Sequence, residues 1–390
     1  MATGSPTSPT SPSNPDGAGS PVKRLVLLGG GHAHVHVLEA LAAQPLPAGQ
    51  VTLVTPFARS VYSGMVPGLV AGHYGLDDCV IPLAPLAERA HVTRIESAAV
   101  ALDVAARRIT LANGDAIGYD VLSLDTGPVM DRESIPGARE HAMALRPIEH
   151  FIRLSDSLLA LAAERALSLV VIGGGAGGVE LAMALQHRLG ERARVSLVTG
   201  GAAPLPGYPA ATGRRALRAL KRLRITVLED SCAEITAHHV VLGRGTRLEC
   251  DAPVLAIGAS APPWLHGSGL ALDAQGFIAT GPTLQSTSHP EVFAAGDVAT
   301  RIDAPHPKSG VHAVRAGPPL ALNLRRFVAG GVLEPYVPRS RTLNLLSCGT
   351  RYAIATWGSW SAEGRWVWWW KDHVDRAFVA RFATSRARAE

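Results

Sequence analysis

The chain has 390 residues, of which 47% are hydrophobic and 18% are charged, and its net charge is +5. This composition is that of a globular protein, and the length predicts two or three domains rather than one small core. The arginines are scattered rather than clustered, and we therefore expect no nucleic-acid partner.

Residues 1–20 are rich in serine, threonine and proline and contain no apolar stretch. This composition predicts a disordered tail rather than a secretory signal. The sequence has no run of about 18 apolar residues, which excludes a predicted membrane-spanning helix.

An apolar run at residues 22–28 (VKRLVLL) leads into three glycines and is typical of a buried parallel strand. Residues 32–43 (HAHVHVLEALAA) follow with apolar positions at helical spacing, and residues 51–55 (VTLVT) form a further apolar run. Strand, glycine turn, helix and strand together are typical of a βαβ unit of about 30 residues.

The same pattern returns in the middle of the chain. Residues 167–172 (LSLVVI) run into GGGAGG and a helical stretch, and residues 195–199 (VSLVT) close the second unit. Each unit is followed later by an apolar segment that ends in glycine, residues 121–127 (VLSLDTG) and residues 253–258 (PVLAIG). We therefore predict two dinucleotide-type units in one chain.

Both glycine runs resemble the GxGxxG turn, whose backbone lets a helix amino end approach a pyrophosphate. Gly173, Gly175 and Gly178 fit that pattern in full, whereas the first turn has Gly29 and Gly31 but His34 in the third place. A glycine-rich turn with a packed histidine is one alternative for the first turn. A metal site is another, but only two of its alternate histidines share a helix face, so no metal is predicted.

Neither second strand ends in the carboxylate that normally holds a ribose. Thr55 and Thr199 stand there instead, and a threonine hydroxyl can also bind ribose. No arginine directly follows Thr199, so the sequence leaves the choice between NADH and NADPH open.

The two units, a TG pair (Thr126 and Gly127) and an AAGD segment (residues 294–297) together resemble the two-dinucleotide-binding-domain flavoproteins of the pyridine nucleotide–disulfide oxidoreductase superfamily. The resemblance covers about residues 22–382. It implies an α/β fold with two Rossmann-like domains, for FAD and NAD(P)H, and a small C-terminal α+β region. The implied divisions are a tail (1–20), an FAD domain in two parts (21–145 and 259–335), an NAD(P)H domain (146–258) and an interface or membrane-association region (336–390).

A narrower likeness rests on GGGHAHV, YSGMVPGLVAGHY (62–74), PKSGVHAV (307–314) and WKDHVDRAF (370–378). These segments resemble a branch that in some members is fused ahead of selenide, water dikinase, with type II NADH dehydrogenases and sulfide:quinone oxidoreductases as relatives. In that branch the histidine after the glycines belongs to the motif, so His34 would lie inside an FAD turn. The dikinase domain itself is absent from this sequence.

The resemblance also implies the site residues. FAD would be held by Gly29, Gly31, His32, Ala33, His34, Thr55, Arg59, Ser63, Gly64, Met65, Thr126, Gly127, Gly296, Asp297, Lys308, Gly310 and Val311. NAD(P)H would be held by Gly173, Gly175, Ala176, Gly178, Glu180, Thr199 and Gly258.

Two of these residues would also act in catalysis. Glu180 would lie near the nicotinamide. Lys308 precedes a helix predicted to begin at about Val311, and it would stabilise negative charge on the reduced flavin. The alternatives are a carboxylate favoured by a helix dipole for Glu180 and a solvated loop lysine for Lys308.

The implied activity is hydride transfer from NAD(P)H to FAD, followed by electron transfer to a small acceptor. A quinone is favoured, because disulfide substrates and sulfide:quinone chemistry need paired cysteines. Cys79, Cys232, Cys250 and Cys348 have neither CxxC nor CxxxxC spacing, and this also favours a reducing, cytoplasmic setting. Three alternatives stay open: an FAD-binding protein of selenium or sulfur metabolism with little turnover, a sulfide:quinone-type enzyme, and a dinucleotide-binding module without flavin.

Residues 365–382 (RWVWWWKDHVDRAFVARF) contain Trp366, Trp368, Trp369 and Trp370, followed by Lys371 and Arg376. One interpretation is peripheral contact with the inner face of a membrane, since tryptophan favours the bilayer interface. The other is a strand pair and helix that cover the flavin or form a homodimer contact. The WVWWW run itself is predicted to be a strand rather than a helix.

Overall fold

The computed structural model describes residues 23–46 and 49–383. The predicted disordered tail, residues 1–20, lies outside the described residues. Two five-stranded parallel sheets dominate the fold, and helices cover their faces. This arrangement confirms the predicted α/β class with two Rossmann-like units.

The strands are β1 (Arg24–Leu28), β2 (Gln50–Val54), β3 (Arg59–Val61), β4 (Val80–Pro82), β5 (Thr93–Ile95), β6 (Ala99–Asp103), β7 (Arg108–Leu111), β8 (Ala116–Gly118), β9 (Val121–Leu124), β10 (Met143–Ala144), β11 (Leu167–Ile172), β12 (Ala193–Val198), β13 (Thr226–Leu228), β14 (Cys232–Ile235), β15 (His239–Leu242), β16 (Arg247–Glu249), β17 (Ala252–Leu255), β18 (Ile278–Thr280), β19 (Val292–Ala294), β20 (Ala299–Arg301), β21 (Asn344–Cys348), β22 (Thr350–Trp357) and β23 (Trp360–Gly364). The helices are α1 (His32–Ala43), α2 (Val66–Val70), α3 (Leu83–Arg89), α4 (Ala138–His141), α5 (Ile148–Glu164), α6 (Ala176–Leu189), α7 (Ala210–Arg222), α8 (Gly310–Val328) and α9 (Arg365–Ala383).

The two large sheets repeat one topology. The first has the order β19-β9-β1-β2-β5 and the second has the order β10-β17-β11-β12-β13. In each sheet the strand before the glycine turn, β1 or β11, lies in the middle. On one side it pairs with the strand that follows the helix, β2 or β12, and on the other with the later apolar strand, β9 or β17. A three-stranded antiparallel sheet, β6-β7-β8 or β14-β15-β16, follows in the same relative place. The central strands are buried on both faces, which is why their sequences read as continuous apolar runs.

The strand order reverses beside β1 and beside β11, so each glycine turn lies at a topological switch point. Open α/β sheets bind ligands in the crevice at such a point, outside the carboxyl ends of the strands. Strand β19, from the later part of the chain, joins the first sheet beside β9. The domain boundaries given above stay predictions.

The C-terminal region consists of the antiparallel sheet β21-β22-β23 and helix α9. The prediction that WVWWW forms a strand is wrong, because these residues lie in the first turns of α9. Its buried residues, Val367, Trp368, Lys371, Asp375, Val379 and Phe382, recur at helical spacing and line one face. Among the described helices, none is long and apolar enough to cross a membrane.

Candidate functional site

A cleft opens at the carboxyl ends of β1, β2 and β9, beside the amino end of α1. Ten of the residues predicted for FAD line it: Gly29, Gly31, His32, Thr55, Arg59, Ser63, Thr126, Gly127, Asp297 and Gly310. Asp125, Arg146 and Trp264, which the sequence did not single out, line it as well. The ten predicted residues alone come from five separate segments of the chain, which the structure brings together.

The backbone of the first turn leaves no room for side chains at Gly29 and Gly31. Gly29 has φ +98°, and a Cβ there would lie 2.4 Å from the carbonyl oxygen of Asp125. A Cβ on Gly31 would lie 2.4 Å from the Asp125 carboxyl carbon. The amides of Gly30 and His32 have no hydrogen-bond partner among the described residues. Free amides at a helix amino end fit a pyrophosphate, so this turn suits FAD.

His34 has a structural position in the turn. Its Nδ1 donates to the carbonyl oxygen of Gly29 (2.6 Å), and its Nε2 accepts from the hydroxyl of Ser123 (2.8 Å). Burial lowers the pKa of His34 to about 4, so the ring is neutral. In the second turn a Cβ on Gly178 would lie 2.0 Å from the oxygen of Gly173. His34 therefore binds the carbonyl that the third glycine approaches in the other unit.

We expect His34→Ala to lower the free energy of unfolding by about 1–3 kcal/mol, because the change leaves buried hydrogen-bonding groups without partners. Urea unfolding followed by circular dichroism measures the loss. Ser123→Ala removes only one of the two contacts and should cost less. Equal stability of His34→Ala and the unchanged protein would contradict this interpretation.

Asp125 is a buried acid at the amino end of α1. Its Oδ2 accepts from the amides of Ala33 (2.7 Å) and His34 (3.0 Å). Burial raises the pKa of Asp125 to about 7, the two amide donors act against that rise, and Asp297 adds to it. Sequence reasoning stopped at the adjacent Thr126 and missed this residue. The signal available was an acid directly after an apolar strand.

Asp297 lies in a short 3-10 turn, Gly296–Val298, and faces the same cleft. Its carboxylate lies 3.6 Å from Arg146. Burial raises the pKa of Asp297, while the charges of Arg146 and Lys308 lower it. A carboxylate at this position can accept a hydrogen bond from a ribityl or ribose hydroxyl.

Lys308 does not line the cleft. Its Nζ donates to the carbonyl oxygen of Ala299 and to the hydroxyl of Thr300 (2.8 Å), and it lies 3.9 Å from the ring centroid of Phe277. Burial lowers the pKa of Lys308 to about 8. The solvated-loop alternative does not describe this half-buried lysine, and its action on flavin stays a prediction. Helix α8 begins at Gly310, next to the predicted Val311.

The second turn is open where a ligand would approach it. Gly173 has φ +136°, and a Cβ there would lie 2.2 Å from the oxygen of Ala256. Around Gly175 no atom lies within 4 Å of an added Cβ, and α6 begins at Ala176. Gly258 is equally open. The hydroxyl of Thr199 donates to backbone oxygens, so it is already engaged within the protein.

Glu180 is buried in α6 and belongs to a polar cluster beneath α9. Its Oε1 accepts from the amide of Ser347 (2.7 Å). Burial raises the pKa of Glu180 to about 7, and the charge of Lys371 opposes the rise. Lys371 donates to Asp375 (2.6 Å) and to the carbonyl oxygen of Gly64 (2.7 Å). The C-terminal helix therefore reaches a loop predicted to face flavin, next to the buried Met65.

The four cysteines are all unpaired. Cys79 and Cys348 are buried, and burial raises the pKa of the Cys79 thiol to about 12 and raises that of Cys348 as well. Both thiols are therefore protonated near neutral pH. Within the described residues no group of three or more His, Cys, Asp or Glu side chains could hold a metal ion.

Comparison with known proteins matches residues 23–317 to the family described as pyridine nucleotide-disulphide oxidoreductase. Demethylphylloquinone reductase NdbB of Synechocystis is 25% identical over 294 residues, which is 72% of this chain and 73% of the relative. The alternative NAD(P)H-ubiquinone oxidoreductase C1 of Arabidopsis thaliana is 25% identical over 322 residues, covering 72% and 62% of the two chains.

Solved structures share the fold. The sulfide:quinone oxidoreductase of Aquifex aeolicus superposes with a TM-score of 0.77 at 20% identity and covers 93% of this chain and 91% of its own. The NDH2 of Plasmodium falciparum in complex with NADH superposes with a TM-score of 0.72 at 13% identity, with coverages of 92% and 97%. At these identities the likeness concerns the fold alone.

Proposed function

Because the chain belongs to the pyridine nucleotide-disulphide oxidoreductase family, we propose that it is an FAD-dependent enzyme that oxidises NAD(P)H and reduces a quinone. The prediction of FAD with a nicotinamide co-substrate is confirmed at the level of the family. The observation that carries the proposal is the repeated unit. In both copies a glycine turn leads into a helix, and the residue before the helix has the same backbone conformation. Gly31 and Gly175 both have φ −71° and ψ 176°.

Bound FAD supplies the acceptor for hydride and the donor for the second electron transfer. The amides of Gly30 and His32 would hold its pyrophosphate, and Asp297 would hold a hydroxyl of its sugar chain. The loop at Ser63 and Gly64 would lie against the ring, fixed from behind by Lys371. The open backbone at Gly175 would admit the pyrophosphate of NAD(P)H, and Glu180 would adjoin its nicotinamide.

A quinone acceptor is supported by the names of the relatives and by the state of the cysteines. Sulfide:quinone-type chemistry uses paired cysteines near the flavin, and here all four are unpaired. The buried Cys79 and Cys348 are held protonated, so they are poor nucleophiles. Sulfide:quinone chemistry is for this reason the weaker candidate.

The narrower likeness to the branch fused to selenide, water dikinase supports a second candidate function. In that case the protein would bind FAD and serve selenium or sulfur metabolism with little NAD(P)H turnover. The two candidates differ in a single property, the rate at which bound flavin is reduced and reoxidised.

The visible spectrum of the purified protein tests the proposal. We expect flavin absorbance that bleaches on anaerobic addition of NADH or NADPH and returns when a quinone is added. Flavin that bleaches only over hours would favour the low-turnover candidate. A colourless protein that takes up no FAD would overturn both.

We further propose that the protein contacts a bilayer surface through α9. Trp366, Trp369 and Trp370 of this helix are about 40–55% exposed, whereas Trp368 is buried. Amphipathic aromatic rings favour the membrane interface, where a quinone is available. The alternative is that a second copy of the chain covers this face of α9.

We expect a Trp366→Ala, Trp369→Ala, Trp370→Ala triple variant to lose most of its binding to anionic liposomes while keeping its flavin spectrum. Sedimentation of the protein with vesicles measures the bound fraction. Val332→Ala changes an exposed apolar side chain outside α9 and should bind like the unchanged protein. Unchanged vesicle binding by the triple variant would refute the contact, and a dimer that the triple variant loses would assign the surface to self-association.

A further inference from the structure

The two nucleotide turns differ at one buried position. Asp125 directly follows β9, and Ala256 directly follows β17. The carbonyl oxygen of each residue faces the first glycine of its turn, at 2.4 Å from an added Cβ on Gly29 and at 2.2 Å from one on Gly173. Asp125 and Ala256 are therefore equivalent residues of the two units, one acidic and one apolar.

This difference changes what the helix amino ends hold. In α1 the amides of Ala33 and His34 both donate to the Asp125 carboxylate. In α6 the equivalent amides, those of Gly177 and Gly178, donate to no side chain among the described residues. These two amides of the second turn are thus free for an anion, whereas in the first turn the equivalent amides already bind a carboxyl group of the protein itself.

A helix amino end stabilises negative charge within its first turn, and two anions placed there repel each other. The Asp125 carboxyl is buried, so solvent screens this repulsion weakly. We propose that Asp125 competes with the FAD pyrophosphate for the amino end of α1, so that FAD binding takes up a proton at this carboxyl. The proposal rests on FAD as the ligand of the first turn.

The surroundings of Asp125 are compatible with a neutral carboxyl. From α1 it faces the neutral His34, and from the Gly296–Val298 turn it faces Asp297, whose charge disfavours a second carboxylate. Arg146 lies against Asp297. The same turn brings Gly296 so close that a Cβ there would lie 2.5 Å from Asp125 Oδ1. The remaining nearby charges, His306 and Lys308, act on Asp297.

The sign of the effect follows from linkage. Without ligand, the pKa of Asp125 is about 7. The negative pyrophosphate raises that pKa further, so the complex retains a proton that the free protein loses above pH 7. Because binding must take up one proton, the affinity for FAD falls by up to about tenfold for each pH unit above pH 7. Well below pH 7 the carboxyl is already protonated, and the affinity is constant. No group of FAD titrates between pH 6 and 8.5.

Fluorescence titration of the deflavinated protein with FAD from pH 6 to 8.5 tests the proposal. We expect the affinity of the unchanged protein to fall more than tenfold between pH 7 and 8.5. Asp125→Asn and Asp125→Ala should bind FAD with an affinity that is independent of pH and is higher at pH 8.5. Asp297→Asn should bind more weakly yet keep the pH slope.

The reciprocal variant Ala256→Asp places the acid in the second turn, and its NADH binding should become weaker and pH-dependent. A flat profile in the unchanged protein, or an unaltered slope in both Asp125 variants, would overturn the proposal, and the first result needs no variant to fold. A protein that binds FAD at no pH would instead refute the function proposed above. The two failures are therefore distinguishable.

Discussion

Replacing Gly175 with leucine is expected to abolish reduction of the flavin by NAD(P)H while FAD stays bound. The backbone at Gly175 has φ −71°, and an added Cβ meets no atom within 4 Å, so a side chain can begin here without backbone strain or a Cβ clash. The leucine would instead occupy the space through which a pyrophosphate approaches. A loss of about 3 kcal/mol in binding lowers the affinity about a hundredfold. Stopped-flow measurement of flavin bleaching gives the rate.

Two substitutions delimit this prediction. Gly281 is equally open and lies outside both glycine turns, so Gly281→Leu should be reduced at the normal rate. Gly178→Ala places a Cβ 2.0 Å from the oxygen of Gly173 and should lower stability. Normal reduction of a well-folded Gly175→Leu protein would remove the second turn from the NAD(P)H site.

Replacing Lys371 with methionine is expected to cost about 3–5 kcal/mol of stability, because it leaves the buried carboxylate of Asp375 without its cation. The change also removes the donor to the carbonyl of Gly64, so the loop at the flavin loses a support. Burial already raises the pKa of Asp375, and loss of Lys371 raises it further. A protonated Asp375 needs no cation, so the deficit should shrink as the pH falls from 7 towards 5.

The same helix supplies the control. Arg376 is 45% exposed and pairs with the less exposed Asp372 at the same four-residue spacing, so Arg376→Met leaves no fully buried charge and should cost less than about 1 kcal/mol. The double variant Lys371→Met, Asp375→Leu should recover much of the loss, because it leaves no buried charge. Urea unfolding at both pH values measures each free energy. Equal costs for Lys371→Met and Arg376→Met would contradict the assignment of a buried pair.

The repeated βαβ units were predictable because each signal is local: an apolar run, a glycine turn and a helical stretch within about 30 residues. The start of α8, predicted at about Val311, lies one residue earlier, at Gly310. The start of α9 was not predictable, because tryptophan and valine favour strands by propensity. The helical pairs Lys371–Asp375 and Asp372–Arg376 lie just beyond, and their spacing was the overlooked evidence.

The site was predicted less completely than the fold. Gly29, Thr126 and Asp297 meet at one cleft, as the motifs implied. The Asp125 carboxyl matters only through contacts with α1, which lies some 90 residues earlier in the chain. Lys308 was predicted from its place beside a helix start, but its ammonium group binds Ala299 and Thr300 instead. A short sequence motif does not specify where the side chain of Asp125 or that of Lys308 points.

Helix α9 is among the last described segments to leave the ribosome, yet it packs against some of the first. Lys371 binds the carbonyl of Gly64, Arg381 pairs with Glu39, and the ring of Phe382 lies 5.0 Å from that of His36. A nascent chain still lacking this helix has no packing partner for that side of α1, the helix that begins at the first glycine turn. We therefore expect the flavin to bind after translation is complete, so that apoprotein accumulates whenever synthesis outruns the supply of FAD.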